Sequence, residues 1–260
     1  VAIRAAWTWI LSGFLLDFCL AADPAPLEVD LKFEQFTEED VEDTESFLPD
    51  ERAGLEASTS LPQGDWKLPK LKSKLPVFAL AALGDEKQLL VLDCRKRELP
   101  FYDTLYLDTN GNGDLGDDKP IEAPGPEEGI SLESNIAVFP ITLTKVRAGG
   151  KELPHALRVF VSYAGTDLQK QLGKKDIDEN LKVAMGTQCC FRGEVKIAGK
   201  TYLLALADGN ANGRFDDPGF LGDAERANPS APLQVQGDCL LFTDEKKLTA
   251  DDWSPLGDLL

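Results

Sequence analysis

From Trp66 onward the chain reads as short apolar runs separated by turn signals. "LPVFALAAL" and "QLLVLDC" flank Gly84-Asp85, which predicts a hairpin. "NIAVFPITLTKV" and "HALRVFVSY" flank "RAGGKELP", and "CCFRGEVKI" and "KTYLLALAD" flank Ala198-Gly199, which predict two more. "YDTLYLD" alternates with a period of two, and "GDCLLFTD" is a further strand candidate. Short strands at regular spacing predict a mainly β chain, a β-sandwich or barrel-like domain with two related strand–loop units and few short helices. One helix is expected around "TDLQKQLGKKD", and a short one capped by Thr37 is the alternative to a flexible linker in the acidic segment before Trp66.

Three segments follow from composition. Residues 1–22 hold Arg4, an apolar run and then Ala21-Ala22, the layout of a signal peptide, although Asp17 interrupts the run. An export signal predicts a periplasmic, cell-surface or secreted protein. Residues 23–65 are rich in acids and read as a flexible, self-repelling linker. Residues 66–260 then form the β-rich domain. Lys plus Arg number 27 against 45 Asp plus Glu, a net charge of -18. Such a surface repels phosphate backbones and anionic lipid, so nucleic acid is excluded as a partner, and it attracts cations.

The chemistry concentrates in two stretches. "LDTNGNGDLGDD" and "LADGNANGRFDD" each follow a strand-like run and each end in paired Asp. Asp108, Asn110, Asn112 and Gly113 recur 100 residues later as Asp208, Asn210, Asn212 and Gly213. D-x-N-x-N-G resembles the calcium loops of EF-hands and dockerins and the strand-flanked acidic loops of β-propeller proteins. In such a loop positions 1, 3 and 5 supply side-chain oxygens, position 6 is Gly for a sharp turn, and position 7 offers its carbonyl. The resemblance implies Asp108, Asn110, Asn112 and the carbonyl of Asp114 as ligands, closed by Asp117 or Asp118. In the second loop it implies Asp208, Asn210, Asn212 and the carbonyl of Arg214, closed by Asp216, with Asp217 beside it. Lys119 and Gly219 occupy the position of the closing EF-hand Glu, so the helix–loop–helix form is not expected. Two neutral Asn per loop predict weak binding of Ca²⁺, on the order of 10⁻⁴ to 10⁻³ M. The competing reading is a pair of metal-free turns, since Asn-Gly is a strong hairpin signal and Asp and Asn cap turns with their own side chains.

Other chemistry is sparse. His155 is the single histidine and reads as an exposed hairpin residue. There is no G-x-S-x-G, no phosphate-binding glycine loop and no CxxC. Cys94, Cys189, Cys190 and Cys239 are either small buried residues or disulfide partners, and adjacent Cys189 and Cys190 should point to opposite faces of a strand. From Leu75 to Leu241 the chain resembles uncharacterised exported bacterial proteins of the planctomycete type, which carry related loops in β-rich domains and bring no established activity. The expected function is therefore an exported calcium-binding β-domain, the metal serving stability or contact with a protein or cell-surface partner. The second reading is a non-catalytic front module of a longer redox, thioredoxin-like or hydrolytic protein.

Overall fold

The structure is a computed structural model that describes residues 29–36, 53–94, 102–123, 130–131, 136–163, 181–217, 220–221, 235–244 and 254–255. It is mainly β, with three antiparallel five-stranded sheets and no helix among the described residues. The expected signal peptide at 1–22 and both expected helices lie outside those residues. The chain divides into two compact units: a larger one of residues 52–188 with 210–214, and a smaller one of 1–51, 189–209 and 215–260.

The larger unit holds two sheets. In the first, β3 (Ala57–Ser58), β4 (Val77–Leu83), β5 (Glu86–Asp93), β6 (Thr104–Leu107) and β7 (Ile121–Glu122) lie in sequence order. Strand β4, part of a stretch that reads as an apolar run, sends its side chains to two faces. Val77, Ala79, Ala81 and Leu83 join one apolar cluster, while Phe78 and Leu80 join another on the opposite face. In the second sheet, β2 (Ala53–Leu55), β11 (Leu181–Thr187), β10 (Lys151–Tyr163), β9 (Ile136–Ala148) and β8 (Ile130–Ser131) lie in that spatial order. Phe139, Ile141, Leu157, Val159, Val183 and Met185 of this sheet share the cluster that Val77 and Leu105 of the first sheet enter. That common core helps fix the register of both sheets, because a one-residue slip would carry Val77, Ala79, Ala81 and Leu83 away from it.

The smaller unit is built on β1 (Lys32–Gln35), β12 (Cys189–Ile197), β13 (Lys200–Ala207), β16 (Cys239–Thr243) and β17 (Ser254–Pro255), with a ribbon of β14 (Phe220–Leu221) and β15 (Val235–Gln236). Phe36, Cys190, Ala205, Ala207, Cys239 and Leu241 cluster on one face. On the other, Phe191 meets Phe33 and Phe215 edge to face, at centroid distances of 5.7 and 4.9 Å.

All three predicted hairpins form. Gly84, Gly149, Gly150, Ala198 and Gly199 adopt the positive φ that tight turns require. The linker reading of 23–65 does not hold where the chain is described. Strand β1 pairs with β12, β2 with β11, and β3 with β4, while Leu31 and Phe36 are buried. Of the acids in this segment, Glu34 lies in β1 and Glu56 lies between β2 and β3, and the pairing of these short strands is something composition alone does not reveal.

Candidate functional site

The first loop leaves the buried strand β6 and runs to β7, spanning residues 108–120 between strands that are themselves paired. Asn112-Gly113 therefore lies inside a 13-residue loop and is not the tip of a two-residue hairpin. Asp108 is buried and both its oxygens turn into the loop, accepting the N–H groups of Asn112 at 3.1 Å and Gly113 at 2.9 Å. Asn110 Oδ1 accepts the Asn112 N–H at 3.0 Å, and Asn112 Oδ1 accepts the Asp114 N–H at 2.6 Å. These side-chain-to-backbone bonds wind the chain around its own oxygens. Gly111 and Gly113 take φ of 71° and 79°, which permits that winding.

The trailing acids face back into the winding. Asp117 accepts the side-chain amides of Asn110 and Asn112, at 3.4 and 2.9 Å. Asp118 Oδ1 accepts from the backbone and hydroxyl of Thr109. Its other oxygen, Oδ2, is buried and has no hydrogen-bond partner among the described residues. Burial, with the charges of Asp108 and Asp117 adding to it, raises the Asp118 carboxyl above its ordinary range against the pull of the Thr109 bonds. Asp114 behaves differently. Its carboxylate turns away to Lys67 Nζ at 3.1 Å and is held low by that bond, while its carbonyl accepts from Asp117 at 3.4 Å.

The loop is anchored from outside. Lys67 N–H donates to the Gly113 carbonyl at 2.8 Å, and Leu115 N–H donates to the Lys67 carbonyl at 2.9 Å. Leu115 is fully buried against Phe78, Leu89, Val91 and Tyr106, so the loop carries part of the core. A polar cleft of 530 Å³ lies beside it, lined in part by Thr109, Asn110, Gln88, Thr142, Glu86 and Arg147.

The second loop repeats the local winding. Asn210 Oδ1 accepts the Asn212 N–H at 3.3 Å, and Asn212 Oδ1 accepts the Arg214 N–H at 2.8 Å. Ala211 and Gly213 take φ of 52° and 77°, matching Gly111 and Gly113. Its six predicted ligands are divided between the units: Asn210, Asn212 and Arg214 belong to the larger, Asp208, Asp216 and Asp217 to the smaller. Within the larger unit Ala211 is fully buried in the shared core, and Arg214 pairs with Asp85 at 3.1 Å.

Within the smaller unit a fourth acid joins the three predicted ones. Asp238, between β15 and β16, is fully buried. Its Oδ2 accepts the Asp217 N–H at 2.7 Å, and its own N–H donates to the Asp217 carbonyl at 3.1 Å. Burial pushes its carboxyl up to about 9, and the charge of Asp208 is the next contribution. Sequence reading passed over Asp238. The only local sign was Gly237 before it, which takes φ of 123°.

His155 is fully buried, not exposed: a register shift between Leu153 and His155 in the β9–β10 ladder, at Pro154, turns the ring inward. Burial lowers its pKa to about 4. Cys94, Cys189, Cys190 and Cys239 form no disulfide among the described residues. Burial raises the Cys94 thiol to about 11 and the Cys190 thiol to about 12.

Among the described residues no group of three or more His, Cys, Asp or Glu side chains is arranged to hold a metal ion. The oxygens that turn into the first loop are accordingly mixed, with amide and main-chain oxygens beside the carboxylates. Comparison with protein-family models, curated proteins and solved structures finds no match.

Proposed function

We propose that the first loop is a calcium site of an exported β-domain, with the two sheets of the larger unit as the layers of a sandwich. The observation that carries this reading is Asp118 Oδ2, a buried oxygen without a hydrogen-bond partner among the described residues, next to Asp108 and Asp117. A buried carboxylate oxygen left unpaired among like charges is costly, and a divalent cation removes both costs at once. Asp108, Asn110, Asn112, Asp117, Asp118 and the Asp114 carbonyl are the residues that would hold it. A bound Ca²⁺ would supply charge neutralisation and a fixed loop geometry, with no reaction implied. A plain turn accounts for the Asx bonds but gives no reason to bury an unpaired oxygen of Asp118 near two other acids.

Within the smaller unit, Asp208 and the trailing Asp216 and Asp217 of the second loop would take the same ion. Affinity on the order of 10⁻⁴ to 10⁻³ M suits extracellular calcium, in keeping with export. The role is structural, or display of the loop to a protein or cell-surface partner. The test is thermal unfolding of the full chain against added calcium, with magnesium as control. At free calcium ten times Kd a site contributes about 1.4 kcal/mol. A melting temperature unmoved by 10 mM calcium, on the order of ten times the weakest affinity expected, would overturn the reading.

A further inference from the structure

We propose that Asp238 is a ligand, absent from the loop motif, of a hard divalent cation held against Asp208 in the smaller unit. This rests on the calcium reading and extends it to a residue that lies 30 positions downstream of Asp208 in the sequence. Both side chains are fully buried. A buried acid cluster is commonly only a set of satisfied hydrogen-bond acceptors, so the state of each oxygen decides. Asp238 Oδ2 is taken by the Asp217 N–H, which fixes the carboxylate plane. Asp238 Oδ1 is buried and has no partner among the described residues. Asp208, Asp217 and Asp216 are the charged groups that act on it. The partnerless oxygen is thus buried within electrostatic reach of Asp208, Asp216 and Asp217, its twin fixed by a backbone bond.

The pairing of chain segments explains why Asp238 is placed there. Asp208 directly follows β13, and β13 pairs with β16, which begins directly after Asp238. The register sets Ala207 opposite Cys239, so the residues next outward, Asp208 and Asp238, leave the same end of the ladder together. Asp238 and Asp217 then exchange two hydrogen bonds, closing the loop's trailing acids onto the same end. Hard divalent ions take oxygen donors of this kind, completed by main-chain oxygens and water. Asp238 adds a carboxylate to those of the loop motif, so this site should bind more tightly than the motif suggests.

The experiment is calorimetric titration of the full chain with calcium alone. The unsubstituted protein should show two binding events. Asp238→Asn, which keeps shape and removes charge, should weaken one of them at least tenfold and leave the other intact. Asp108→Asn should do the reverse. If Asp238→Asn binds as the unsubstituted chain does while Asp208→Asn loses a site, Asp238 is a buried structural acid and this inference fails while the calcium reading stands. If the unsubstituted chain binds no calcium, both fail. Should Asp238→Asn not fold, the ¹³C carboxyl resonance of Asp238 in the unsubstituted chain decides. A ligand's resonance moves on calcium saturation, and an unmoved one overturns the proposal.

Discussion

The backbone N–H of Gly84, in the β4–β5 turn, donates to the carbonyl of Asn212 at 2.5 Å, joining residues 128 positions apart within the larger unit. Around this bond Ala211 is buried in the core and Gly213 is packed so closely that a Cβ would stand 2.6 Å from Val146 Cγ1 and 3.1 Å from Gly84 N. The Asn212-Gly213 pair, which reads locally as a hairpin turn, is therefore a packed plug.

Gly213→Ala should be severe for that reason. It adds a methyl where the neighbours have no room, at a φ of 77° that disfavours any side chain. The two effects together predict a loss of about 2–4 kcal/mol in urea unfolding. Gly149→Ala is the matched comparison. Its φ is also positive, but nothing lies within 4 Å of the added carbon, so about 1 kcal/mol is expected. Equal losses at the two sites would show that backbone conformation, not packing, governs Gly213.

Asp118→Asn should act with opposite signs in the absence and presence of calcium. Without the ion it removes one of three mutually repelling charges and keeps an oxygen for Thr109, so stability should rise slightly, by no more than about 0.5 kcal/mol once solvent screening is counted. With millimolar calcium the variant should gain little, while the unsubstituted chain gains. Paired unfolding curves in calcium and in chelator test this, and an undiminished calcium shift in the variant contradicts it.

His155 should make stability fall with acid. Its folded pKa of about 4 lies below the ordinary value of 6.5, so between those values the unfolded chain takes up a proton that the folded chain refuses. The contribution is fully present above pH 6.5 and is lost as pH falls toward 4. Between pH 7 and 5 the loss should be about 2 kcal/mol. His155→Gln has no such titration, so its stability should drop less over that interval, as chemical denaturation at the two pH values would reveal. Parallel pH profiles for the two proteins would exclude a buried neutral imidazole.

Cys94 should alkylate slowly. It is half-buried, and burial followed by the charges of Asp103 and Asp93 raises its thiol to about 11, so little thiolate exists at pH 8. Iodoacetamide labelling read by mass spectrometry should be roughly tenfold or more slower in the native protein than in urea. Equal rates would place Cys94 in a more exposed or more cationic setting than the structure shows.

The strands and the winding of the loops were determined by the sequence itself. The apolar run in 77–83, the turns at Gly84, Gly149-Gly150 and Ala198-Gly199, and the Asp-Asn-Asn-Gly order act over a few residues. Side-chain period and left-handed φ are local properties, so one stretch of chain suffices to specify them. What lies far apart in the sequence was decided only by the tertiary structure. Pairing of β1 with β12 across more than 150 residues gave strands to an acidic segment that composition marks as linker. A bulge beside Pro154 buried His155, the Gly84–Asn212 bond turned an apparent hairpin into core, and β13–β16 register brought Asp238 to Asp208. Each depends on which surfaces the whole chain removes from water together, and no local pattern encodes that choice.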